Sequence, residues 1–100
     1  MPINRPPQYI DDARVLLATE ITDEHYPTGF TRHYVNGQLM ETPQALAICQ
    51  YDDDPGYYLF YCNAHWNVMN DTYHDSQQRA IGQAELEFMG TKATWKAVGD

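Results

Sequence analysis

No apolar run in this 100-residue chain approaches the ~18 residues that a bilayer-spanning helix requires, and the opening MPINRPPQ has no hydrophobic h-region. A soluble, non-exported, cytoplasmic protein is the resulting expectation. Basic residues are scarce too, with six Lys and Arg against 14 Asp and Glu. The formal charge of −8 would be repelled by phosphate backbones and anionic lipid, so neither nucleic acid nor membrane is an expected partner. Only two cysteines occur, Cys49 and Cys62, and they are not in a Cys-x-x-Cys spacing. They read as small buried hydrophobes and not as a redox or zinc pair. None of the four histidines stands at the i, i+4 spacing of a zinc-binding helix, and no internal repeat or low-complexity tract is present. No metal and no cofactor are expected.

What remains is the composition of one small folded domain: 43% hydrophobic and 13% aromatic residues, including eight Tyr. A chain of this length can bury roughly two thirds of the surface its unfolded form exposes, enough for one core. Pro2, Pro6 and Pro7 cannot donate ladder hydrogen bonds, so residues 1–13 read as an extended or disordered arm and residues 14–100 as a single domain. In Arg14–Ile21 the alternation of Val15, Leu17, Thr19 and Ile21 suits a strand with one buried face, a short helix capped by Asp11 being the competing reading. Asn36-Gly37 between Phe30–Val35 and Gln38–Glu41 is a hairpin signal, because both residues accept the positive φ of a type I′ turn.

Gln44–Tyr51 and Tyr57–Asn63 flank the acidic turn Asp52-Asp53-Asp54-Pro55-Gly56 and pair antiparallel. Setting Asp52 opposite Gly56 places Ile48 against Phe60 and Leu46 against Cys62, with Cys49 on the other face. A third strand runs from Trp66 to Thr72, Trp66 covering one end of the helix that follows. That helix spans Asp75–Met89, with Asp75 as N-cap and Gln78 reaching back to it. Its stripe of Ile81, Ala84 and Phe88 lies over Ile48, Phe60 and Val68, and Gly90 suits the left-handed residue beyond its end. The predicted fold is therefore α+β: an antiparallel meander of about four to six strands with one C-terminal helix across one face.

This register exposes Tyr57, Leu59 and Tyr61, with Ala47 and Cys49, on the face away from the helix. An uncovered sheet face should be polar unless something packs on it, so three covers compete: the N-terminal strands, a second copy of the chain, or another protein. Intramolecular cover ranks first and homodimerisation second. The candidate partner-binding residues are thus Asp52, Asp53, Asp54, Tyr57, Leu59, Tyr61 and Trp66. The three aspartates read as a solvated turn whose carboxyls keep their ordinary acidity. The acidic surface suits a basic protein partner or, through the aromatic face, self-association.

The run Tyr57-Tyr58-Leu59-Phe60, Cys62, Trp66-Asn67, Asp71-Thr72 and His74, followed by a helix rich in Gln, Ala and Glu, resembles a motif of short uncharacterised bacterial proteins. The resemblance implies no activity. Some acidic proteins of this size and architecture serve as immunity proteins against toxins or travel on mobile elements, so the leading expectation is a non-catalytic interaction domain of immunity or accessory type. The alternatives are a small enzyme or ligand binder with a pocket near Cys62, His65 and His74, and an acidic DNA mimic. The former would need Cys62 accessible and a histidine base within reach of it.

Overall fold

A computed structural model describes residues 4–99. Strand β1 (Tyr9–Ile10) turns through Asp11 and Asp12, both at positive φ (49° and 69°), into β2 (Ala13–Glu20). The chain then makes an excursion carrying β3 (Tyr26–Pro27), β4 (Tyr34–Val35) and β5 (Gln38–Leu39). It returns as the meander β6 (Ala45–Gln50), β7 (Tyr57–Cys62) and β8 (Val68–His74), followed by helix α1 (Gln77–Glu87), β9 (Phe88–Met89), a short 3₁₀ turn and β10 (Lys96–Ala97). The main sheet is antiparallel with order β1-β2-β6-β7-β8, and β10 also pairs with β2. The predicted α+β architecture, an antiparallel sheet with one helix packed on it, is the one observed. The Cα radius of gyration, 12.5 Å, is close to the ~13 Å expected of 100 compact residues.

The β6–β7 register differs from the expected one by a single residue, and in a strand that exchanges the two faces. Leu46 pairs with Tyr61, Ala47 with Phe60 and Ile48 with Leu59, because the turn spans four residues, Asp52 to Pro55. It closes where Asp54 N–H donates to the Tyr51 carbonyl at 3.2 Å and the Asp54 carboxylate accepts from Gly56 N–H at 2.9 Å. The helix therefore covers Leu46, Ile48, Leu59 and Tyr61, not Phe60 and Val68. Phe60, Cys62 and Val68 face the other way, with Ala45, Ala47 and Cys49. Both cysteines line this second face as free, buried thiols, which corrects their expected separation.

A bulge at Leu16 explains why β2 does not keep one buried face. The pairing with β6 skips this residue, so Ala13, Val15 and Ala18 join the Phe60 face while Leu17 and, beyond the strand, Ile21 pack toward the helix. Leu16 carbonyl accepts Val98 N–H at 3.0 Å instead. Cover for the second face comes from the chain itself, through Ile10 of β1, Trp66 and Val98. Trp66 lies in the β7–β8 loop at φ 64°, ahead of the strand that it was expected to begin, and its indole N–H donates to the Asn4 carbonyl at 2.7 Å. It packs on the face opposite the helix.

Helix α1 starts one residue later than expected. Ser76, extended at φ −147°, is the N-cap, its hydroxyl accepting from Arg79 N–H at 3.1 Å. Its buried positions are Ala80, Ala84 and Glu87, with Phe88 just beyond the end, while Ile81 is half-buried. Two alanines at i, i+4 let the backbone approach the sheet, and no atom lies within 4 Å of a Cβ built on Gly82, so that glycine does not serve close packing. Gly90 is different: at φ 102° it favours glycine, and a Cβ there would stand 3.0 Å from the Glu24 carbonyl. The Glu85 carboxylate accepts from Gly90 N–H and Lys92 N–H at 3.0 and 2.8 Å, and these bonds hold its pKa below the ordinary carboxyl range.

Candidate functional site

The 26–39 excursion is held against the C-terminal turn of α1 by the backbone groups that a helix end leaves unpaired. Thr28 N–H donates to the Glu87 carbonyl at 2.9 Å, and the Thr28 hydroxyl donates to the Leu86 carbonyl. Strand β3 pairs with β9, setting Tyr26 beside Met89. Further on, Asn36 and Gly37, at φ 54° and 79°, make the expected tight hairpin, although its paired arms are only Tyr34–Val35 and Gln38–Leu39.

Beneath this layer lies a buried carboxylate. Glu87, 3% exposed, occupies a core position of the helix and accepts from His33 Nε2–H at 2.6 Å, from Gln83 at 2.8 Å and from the Tyr61 hydroxyl. The Asn70 amide donates to His33 Nδ1 at 2.9 Å, consistent with the Nε2–H tautomer, and the His33 ring lies 4.4 Å from that of Tyr61. Tyr61 commits its proton to Glu87, so the Thr72 hydroxyl, 3.4 Å away, donates to it and in turn accepts from His74 Nε2–H at 2.7 Å. Burial, then the bond to Glu87, pushes the pKa of the Tyr61 phenol far above its usual value. Desolvation lowers the pKa of His74, against weaker opposing effects of Glu87 and Asp75. This network ties excursion, helix and β8 together: Asn70, Thr72 and His74 form the polar helix-side row of an edge strand opposite Tyr61, Leu59 and Tyr57.

The outer surface of the same layer is apolar. Of the nine large hydrophobic side chains exposed among the described residues, seven belong to the excursion or to the helix end: Tyr26, Phe30, Tyr34, Val35, Leu39, Leu86 and Met89. Phe30, Tyr26 and Tyr34 are 64%, 63% and 60% exposed. Tyr26 and Met89 are cross-strand partners, as are Tyr34 and Leu39, so these side chains stand in pairs.

The residues singled out from the sequence are placed otherwise. Leu59 and Tyr61 are sealed under the helix and Trp66 is buried against the opposite face, so none offers a docking surface; Tyr57 is half-buried on the helix side. Asp52 and Asp53 are exposed, at the far end of β6 from the excursion. Asp54 is not a freely solvated acid: Gly56 N–H, the Tyr73 hydroxyl at 2.8 Å and the Tyr58 hydroxyl at 3.3 Å donate to it, and these bonds lower its pKa. Cys62 is fully buried and its thiol is pushed up to about 12, His65 is exposed with Nδ1 near the Asn4 amide, and His74 lies at the other end of β8. The structure does not bring these three together. Among the described residues no group of three or more His, Cys, Asp or Glu could hold a metal ion, and no helix is long and apolar enough to cross a membrane.

The sign of the Glu87 hub in the sequence is an acid at stripe spacing from Ala80 and Ala84. The exposed surface gave only the weak sign of aromatics in a loop-rich segment. No family model, curated protein or solved structure matches the chain.

Proposed function

We propose that the protein is a non-catalytic interaction domain, of immunity or accessory type, that docks another protein on the surface formed by the 26–39 excursion and the end of α1. The observation that carries this reading is the concentration there of exposed aromatic and aliphatic side chains, while both faces of the main sheet are covered from within. Contiguous apolar surface on a folded domain marks contact sites, and Tyr and Phe supply large area at low ordering cost. A buried hydrogen-bonded hub beneath it pre-organises the layer, which lowers the entropy lost on binding.

The occupant is a basic protein with an apolar contact face. A chain of charge −8 attracts a cationic partner over a Debye length and repels its own copies, and Asp23, Glu24 and Glu41 border the excursion. The test compares the wild type with a Tyr26→Ser, Phe30→Ser, Leu39→Ser triple variant as bait in extracts of the source cells, alongside sedimentation of each alone. A basic protein retained by the wild type, released by salt and lost with the variant is the expected result. Equal retention by both baits overturns the site, and a salt-insensitive dimer abolished by the variant replaces the basic partner with a second copy.

A further inference from the structure

A second feature is a cleft of about 550 Å³ between the N-terminal arm, the end of β2, the turn at Thr22–His25 and the Ala93–Lys96 segment. Its size falls within the ~300–1,000 Å³ of small-molecule sites. Both tryptophans of the chain, Trp66 and Trp95, line it. One wall is fixed by an internal relay. Thr22 N–H donates to His25 Nδ1 at 3.0 Å, so His25 Nε2–H donates to the Thr94 hydroxyl at 3.1 Å, which in turn donates to the Thr91 carbonyl at 3.1 Å. Thr19 Oγ1 lies 2.7 Å from the Thr94 oxygen, and both His25 and Thr19 are buried.

The charge of this cleft departs from that of the molecule. Arg5 and Lys96, two of only six basic residues, line it together with Glu20 and Glu24, so its lining is balanced while the chain as a whole carries −8. Among the described residues the one ion pair within 4 Å is His33–Glu87, which leaves these four charges unpaired with one another. Trp95 Nε1 is buried with no hydrogen-bond partner in the described structure, so a donor next to the cleft lacks an acceptor.

We infer that this cleft binds a small zwitterion with an apolar body, of the dipeptide class. Its carboxylate is met by Arg5 and Lys96, its ammonium by Glu20 and Glu24, and its apolar part by the half-buried indole of Trp95. Charged groups of both signs beside an indole reject ligands that lack either charge, because each such ligand leaves one set of partners unmatched.

The two tryptophans make the test direct, since both lie in the lining. Leucyl-leucine is titrated into the full chain while intrinsic fluorescence is followed, in parallel with N-acetyl-leucyl-leucine, leucyl-leucine amide and the doubly blocked compound. The expected result is a saturable change with the zwitterion, at least tenfold weaker with each singly blocked compound and absent with the doubly blocked one. In Arg5→Gln and Glu20→Gln, whose exposed side chains are not part of the core, affinity for the zwitterion falls tenfold or more with the thermal midpoint unchanged. No saturable response, an equal response to the doubly blocked compound, or full affinity in both variants overturns the inference. The docking reading is untouched by any of these results, because neither Arg5 nor Glu20 belongs to that surface and its test varies Tyr26, Phe30 and Leu39.

Discussion

Replacing Glu87 by Ala is the sharpest probe of how the docking layer is held. The substitution removes the acceptor of three donors, His33 Nε2–H, Gln83 and the Tyr61 hydroxyl, at a site only 3% exposed. A buried donor left without a partner costs about 1–3 kcal/mol. Tyr61 has no exposure and bears the full penalty; its only other neighbour in the network, the Thr72 oxygen, is 3.4 Å away. His33 and Gln83 keep some access to water and bear less. The expected loss is about 2–4 kcal/mol, less a few tenths for the better helix propensity of Ala. For a domain whose total stability is of order 5–15 kcal/mol, this lowers the thermal midpoint by roughly 10–25 °C. Glu87→Gln costs less, about 1–2 kcal/mol, because the amide keeps one acceptor for Tyr61 and the His33 ring can exchange tautomers if Asn70 turns its amide. Urea unfolding followed by circular dichroism measures all three proteins, and a cycle with Tyr61→Phe isolates a coupling of about 1–2 kcal/mol. A Glu87→Ala protein within 0.5 kcal/mol of the wild type, or no coupling to Tyr61, would refute the hub as the element that fixes the excursion.

Two further outcomes follow from the corrected register. Cys49 and Cys62, both fully buried with thiols shifted upward by desolvation, resist an aromatic disulfide reagent at pH 8 in the native state and react together once the chain unfolds in guanidinium; rapid native labelling of either would place it at the surface. Gly56→Ala puts a Cβ 2.0 Å from the Tyr73 hydroxyl, so Tyr73 must leave Asp54. Since the bonds to Asp54 lower its pKa, they contribute stability above its ordinary value near 3.8 that is lost as pH falls through the lowered native value. The variant therefore shows an Asp54 pKa moved upward by NMR titration and a smaller loss of stability on acidification, whereas an unmoved pKa would deny Tyr73 that role.

Much of the fold was legible locally. Val, Ile and aromatic runs around an acidic turn announced the meander, Asn36-Gly37 its small hairpin, and Ala84 and Phe88 the buried side of a helix followed by Gly90, while Ala80 was missed and Ile81 is only half-buried. These depend on neighbours within a few residues, where turn chemistry and periodicity act. The faces were not legible, because a four-residue turn in place of a three-residue one, together with the bulge at Leu16, exchanges inside and outside without altering the hydrophobic pattern. The same slip moved the Tyr57, Leu59 and Tyr61 row from the expected binding face to the underside of the helix.

The sequence by itself determined the α+β class and the negative charge, since both are set by composition and short-range pattern. Which side chains remain outside was decided only by tertiary structure. Glu87 meets His33 from 54 residues away and Trp66 meets Asn4 from 62, and contacts at that separation exist only once the strands have chosen their register.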